Sequence, residues 1–112
     1  MTRVFVRLTL APTSEGGRRK PIVPPTYHCP VFFDGIPPLS ERGCDCRILV
    51  VDHGGPISPG ETVEVIPMVF LSESEVLPHI FPGVRFRLWE GRTIGSGEVL
   101  CIEEKCALYT EP

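Results

Sequence analysis

An all-β domain, built as a small antiparallel barrel or sandwich, is what this sequence predicts, and three observations carry that expectation. Apolar and polar residues alternate with period two in the first strand-length stretch. Thirteen prolines and 11 glycines, spread along 112 residues, divide the chain into short segments separated by turns. No stretch repeats its apolar residues at helical spacing. About six strands with turn signals between them fit either architecture, and periodicity does not choose between the two.

Taken in order, Val4, Val6, Leu8 and Leu10 alternate with Arg3, Phe5, Arg7 and Thr9, the pattern of a strand with one buried face. "APTSEGGRRKPIVPP" reads as a loop. Tyr27 to Phe33 is a second strand, with Pro30 placing it at an edge or a bulge because proline cannot donate to a ladder. After the loop "DGIPPLSERG", Cys46 to Val51 is a short apolar run suited to a strand buried on both faces. "HGG" and "SPGE" are turn signals between Asp52 and Gly60. Thr62 to Leu71 is β-branched and apolar, interrupted by Pro67, and "SESEVLPHIFPG" is a further loop.

The last two strands form a hairpin. Val84, Phe86 and Leu88 face one way, Arg85 and Arg87 the other, and Glu90-Gly91 is the turn, with Gly91 supplying the positive φ that a tight hairpin needs. Gly95 and Gly97 lie two apart, so both point to one face and leave room there for a close approach by another group.

One domain is expected at this length, with a core drawn from a 42% apolar composition. No apolar run approaches the ~20 residues of a membrane helix, and the alternating start is unlike a signal peptide. A soluble, cytoplasmic protein is therefore expected, with no membrane partner. The net charge of −3 gives no broad pull toward nucleic acid, so any such contact must come from a local basic patch. Five cysteines (Cys29, Cys44, Cys46, Cys101 and Cys106) are an odd number, and reduced thiols are the default without an export signal.

Four ordered blocks, "EGGRRKPI", "YHCPVFF", "SPGE" and "VRFRLWEGRTIGSGEVL", resemble the C-terminal β-barrel of bacterial elongation factor Tu, its third domain. The resemblance runs from about Arg3 to Leu100. It implies a closed six-stranded antiparallel barrel over residues 3–100, followed by a tail at 101–112. That domain contacts the T-stem backbone of aminoacyl-tRNA and part of the nucleotide-exchange factor's interface. Gly17, Arg18 and Arg19 match its tRNA-facing loop, and Arg92 matches its hairpin arginine. Two departures stand out: Trp89-Glu90-Gly91-Arg92 has one glycine before the arginine where the family has two, and Pro30 stands where the family often has glutamine. No G-x-x-x-x-G-K-[ST] loop exists in the chain, so no nucleotide is expected. The chain looks like the third domain standing alone, without its GTPase partner.

Arg18, Arg19 and Lys20 form the only basic run of three. As a phosphate clamp they would offer bidentate guanidinium contacts, with Gly16-Gly17 bringing backbone N–H groups close. As a plain surface loop they would pair with Glu15 and other carboxylates. Trp89 and Phe86 flank the turn and are interface candidates, since tryptophan and arginine dominate binding hot spots; Trp89 would otherwise cover a barrel end. Glu73, Glu75, Glu103 and Glu104 are either solvated or a face for a basic protein.

Cys44 and Cys46 with Cys101 and Cys106 offer four thiolates, but neither spacing is a zinc knuckle and buried cysteines are common core residues, so no metal is expected. His28 and Cys29 are neighbours and point apart in a strand. His53 and His79 lie in loops, and Asp34, Asp45 and Asp52 form no paired constellation, so neither catalytic residues nor a cofactor are expected. The leading expectation is a non-catalytic module binding a tRNA-like RNA or a translation-related protein. The alternative is a protein-interaction module, a domain mimic, competitor or immunity-type protein, that binds no RNA. A zinc-stabilised domain is the third reading.

Overall fold

In a computed structural model that describes residues 1–103, the period-two stretches become six strands. They are β1 (Val4–Leu10), β2 (Tyr27–Phe33), β3 (Cys44–Ile48), β4 (Thr62–Phe70), β5 (Arg85–Trp89) and β6 (Thr93–Ile102). All pairings are antiparallel, in the order β1-β4-β3-β2-β5-β6, and β6 returns to β1 to close a barrel. The choice between barrel and sandwich is thus settled by the pairing of the first strand with the last. β6 runs past Leu100 to Ile102, which pairs with Val4. The rest of the expected tail, including Glu104 and Cys106, lies outside the described residues.

Inward positions fill the barrel. Phe33 packs against Phe70 and Phe86 at centroid distances of 5.7 and 5.8 Å, and all three rings are fully buried. Val4, Leu8, Ile48, Ile66, Met68 and Leu88 complete the interior around them. Each such side chain, fully buried, contributes on the order of 1.5–3 kcal/mol.

Four local expectations change. β3 begins at Cys44 and ends at Ile48, with Cys44, Cys46 and Ile48 inside and Asp45 exposed, so it alternates and is not apolar on both faces. The chain then turns through a 3-10 segment at Val50–His53, which buries Val50 and exposes Val51. In β4 the register with β1 slips between Val6↔Ile66 and Leu8↔Val63. That one-residue bulge lets Val63 and Ile66 both face inward and turns Glu64 and Val65 outward. Pro67 does not interrupt the strand; it pairs with Phe5. Pro30 sits where β2 has outrun β5, whose pairing begins at Val31↔Leu88, so its missing N–H costs no ladder bond on that side. "SESEVLPHIFPG" contains one helical turn, α1 (Glu73–Val76), which buries Val76 and is too short to show a helical period.

The hairpin matches its pattern: Phe86 and Leu88 are inside, Arg85 outside, and Gly91 has φ 74°. Gly97 pairs with Phe86, and a Cβ there would lie 2.3 Å from the Phe86 ring and 2.6 Å from the Arg7 carbonyl oxygen. The missing side chain is therefore the space in which Phe86 lies across β6 while β1 approaches from the other side.

Gly97→Ala is expected to destabilise the fold by about 2–3 kcal/mol, the upper range for overpacking a core. Urea unfolding of Gly97→Ala, Phe86→Leu and the double variant should show the double variant losing less than the two singles added together.

Candidate functional site: a cationic barrel end

The end of the barrel that carries Leu10, Tyr27, Ile48, Thr62, Trp89 and Thr93 is closed by two loops bridged through Ile22 and Ile57, whose N–H and C=O groups bond reciprocally at 3.0 and 2.9 Å. Both isoleucines are buried, so the loop after β1 is anchored by a core contact of its own. On this base the basic run is held out beside the β5–β6 turn. Arg18, Arg19, Lys20, Glu90 and Arg92 line one open depression of about 350 Å³, four cations against one carboxylate.

The four cations are not equivalent. Arg18 donates from Nη1 to the Glu90 carboxylate and, at 3.3 Å, to the Tyr27 hydroxyl, and from Nε to the Lys20 carbonyl at 3.2 Å. Its guanidinium lies 5.1 Å from the centroid of the Tyr27 ring. The Tyr27 hydroxyl also donates to Glu90. Burial, followed by that bond to Glu90, pushes the Tyr27 phenol far above its ordinary range. Arg92 donates from Nε to the Gly16 carbonyl at 2.6 Å and from Nη2 to the Gly17 carbonyl at 3.3 Å. Two arginines thus fasten the loop to β2 and to the hairpin turn. Arg19 and Lys20 are exposed.

Gly17 has a different role from the one expected of it. Its N–H donates to the Pro12 carbonyl at 2.9 Å, and that of Gly16 to Thr13 at 3.3 Å. A Cβ on Gly17 would lie 2.0 Å from the Ala11 carbonyl oxygen. The pair is therefore a tight fold-back of the loop and offers no free N–H groups to an anion. Tyr27 and Glu90 are the members that the sequence left unmarked. Arg18 and Glu90 are 72 residues apart, and no local pattern announces such a pair.

Of the two aromatic interface candidates only Trp89 is at the surface, 37% exposed; Phe86 is fully buried and belongs to the core. Trp89 does not plug the barrel. It meets Phe32 edge-on at 5.9 Å, and Arg87 lies 5.5 Å from the Phe32 ring while its Nε donates to Asp34 at 3.2 Å. An aromatic and arginine surface therefore adjoins the turn that carries Glu90 and Arg92.

The acidic residues do not make one free face. Glu73 accepts from the Thr2 N–H at 2.6 Å, and Glu103 accepts from the Arg3 N–H and Nε at 3.1–3.3 Å. The Arg3 backbone bond, with its guanidinium, holds the Glu103 carboxyl below the usual range.

Cys101 is disulfide-bonded, contrary to the expectation of reduced thiols and to a set of four zinc thiolates. Cys29, Cys44 and Cys46 are free and buried, and the Cys46 thiol donates to the Cys29 carbonyl at 3.3 Å. Burial raises the Cys44 thiol, and the Cys46 thiol is raised further by its contact with Cys29 and by burial, which makes both poor nucleophiles. Among the described residues no three His, Cys, Asp or Glu side chains are grouped to hold a metal ion. His28 is exposed while Cys29 points into the core, so the neighbours do point apart.

Two measurements check the crown of this barrel end. Arg92→Ala is expected to cost about 1.5–3 kcal/mol of unfolding free energy, as for hydrogen bonds made by a charged donor. In a Tyr109→Phe background, ultraviolet titration should show Tyr27 ionising well above the ordinary tyrosine value of about 10, and Glu90→Gln should bring it down. Because the neutral phenol is the folded form, Tyr27's contribution is complete below that ordinary value and is lost as pH rises above it. No protein-family model matches the chain, no curated protein matches it either, and no helix among the described residues is long and apolar enough to cross a membrane.

Proposed function

We propose that this chain is a non-catalytic binding module whose cationic barrel end receives the phosphate backbone of a folded, tRNA-like RNA. The observation that carries the reading is the distribution of roles in the depression. Arg18 and Arg92 are fixed in place by Glu90, Tyr27 and the Gly16 and Gly17 carbonyls, while Arg19 and Lys20 extend beside them into solvent. A protein with net charge −3 has no general attraction for RNA, so a local excess of cations on a rigid base is what such a contact requires. The bases are not read: two or three phosphate contacts position an RNA and carry no sequence preference. The resemblance to the third domain of elongation factor Tu, whose barrel contacts a tRNA stem, supports the same ligand and the same lack of a bound nucleotide.

A protein partner is the second reading, and Trp89 favours it. An exposed tryptophan braced by Phe32 beside Arg87 has the composition of a protein-binding hot spot. On that reading the barrel competes for, or shields, a partner of a translation factor.

Binding of a purified tRNA, followed by gel shift at several salt concentrations, separates the two. Arg19→Glu with Lys20→Glu is expected to lower affinity at least about tenfold and to flatten the salt dependence by about 1.5–2 in log–log slope. Trp89→Ala should leave tRNA binding nearly unchanged. If the charge-reversed protein still binds tRNA as the natural chain does, the RNA reading is overturned. A partner retained in high salt and lost in Trp89→Ala supports the protein reading.

A further inference from the structure

At the end of the barrel opposite the basic depression, the loop after β2 and the loop after β4 flank a cavity of about 410 Å³. The fold holds both of its walls. On the first, Leu39 is buried and its carbonyl accepts from the Phe33 N–H at 3.0 Å, while the Pro38 carbonyl accepts from the Arg42 N–H at 2.9 Å. On the second, α1 buries Val76, and the Ser72 carbonyl accepts from the Glu75 N–H at 3.0 Å. The Leu71 N–H joins the two sides by donating to the Asp45 carbonyl at 3.2 Å. Leu39 and Val76 thus give the cavity a preformed apolar lining.

Opposite charges line this cavity without meeting. Arg42 comes from the first loop, Asp45 from the start of β3 and Glu75 from α1, and all three are exposed. Among the described residues none of the three side chains makes an ion pair or a hydrogen bond. Arg3, Arg7, Arg18 and Arg87, by contrast, each pair with a carboxylate. The Cys44 thiol on the cavity wall feels all three charges: burial raises it most, Arg42 lowers it, and Asp45 and Glu75 raise it. One cation and two anions therefore sit around a single point, each free to engage a ligand.

We propose that this cavity binds a zwitterion of dipeptide size, its carboxylate on Arg42, its ammonium toward Glu75 and Asp45, and an apolar side chain against Leu39 and Val76. The donor set selects this class. A guanidinium presents a planar fork that fits a carboxylate at two points, and an ammonium has three donors to divide between two carboxylates. A purely anionic ligand such as phosphate meets two carboxylates for one arginine and is repelled. A metal ion finds no group of three ligating side chains among the described residues. The volume also fits, since 410 Å³ is the space of about a dozen waters at ~30 Å³ each, enough for a small dipeptide. The site lies at the far end of the barrel from Arg19 and Lys20, so it is independent of the RNA reading.

Titration of the full chain with the dipeptide Ala-Leu, followed by the N–H signals of Gly43 and Ser74 in NMR spectra, tests the proposal. Both signals should shift and saturate with a Kd of about 1 mM or below, while Gly91 at the other end stays still. N-acetyl-Ala-Leu, which lacks the ammonium, and Ala-Leu amide, which lacks the carboxylate, should each bind at least about tenfold more weakly. Arg42→Gln should erase the preference for Ala-Leu over its amide and keep the preference over the acetylated form. Glu75→Gln with Asp45→Asn should do the reverse. These side chains are exposed, so the variants keep the fold, and the dispersion of their spectra checks it. Absence of saturation at about 20 mM, equal binding of the three probes, or variants that leave both preferences intact would overturn the proposal.

Discussion

Pairing between the first strand and the last is the constraint on which the rest of this molecule depends. Until β6 lies along β1, from Val4↔Ile102 to Leu10↔Gly95, there is a curled sheet with two raw edges. Afterwards there is a closed interior, and Phe33, Phe70 and Phe86 have walls on every side. That pairing demands close approach, which Gly95 and Gly97 permit: a Cβ at either would lie within 3 Å of a β1 carbonyl oxygen. Phe86 takes up the space at Gly97, so the ring that fills the core also sets the spacing of the strands that close it.

Closure in turn decides what the loops can do. With the strand ends gathered into two rings, the loop after β1 and the β5–β6 turn are brought side by side although they are far apart in sequence. Arg18 finds Glu90 and Tyr27, and Arg92 finds the Gly16 and Gly17 carbonyls, only because the barrel delivers them there. Arginine suits both tasks, since its planar fork can satisfy several oxygens at once and stack on an aromatic face. The result is a division of labour within one short basic run. One residue ties the loop down, and the next two remain exposed to solvent.

Much of the architecture could be read directly. Alternation located β1 and the hairpin, the strand expected at Tyr27 to Phe33 is β2, and the turn glycine at position 91 has the positive φ its place demanded. Other elements misled for identifiable reasons. Cys46 to Val51 looked continuously apolar because a strand ending at Ile48 is followed at once by a 3-10 turn that buries Val50. A bulge is invisible to a period-two count, so nothing along Thr62 to Leu71 signals that Val63 lies inside while Val65 is turned outward. Trp89 and Phe86 looked equivalent beside the turn, although a single step of strand parity, corrected for the irregular Leu88/Trp89 register, sends one ring to the core and the other to the surface.

The sequence by itself determined an all-β chain of short strands, a glycine-turned hairpin with two vacancies on one face, and one local concentration of positive charge. These are properties of the backbone and of neighbouring residues, and they survive without knowing what packs against what. Only the tertiary structure decided that the sheet closes, that the vacancies at Gly95 and Gly97 face β1 and Phe86, and that Arg18 and Arg92 are bound internally while Arg19 and Lys20 are not. The physical reason is that an arginine's availability depends on the oxygens within its reach. For Arg18 one of those oxygens belongs to a residue 72 positions away.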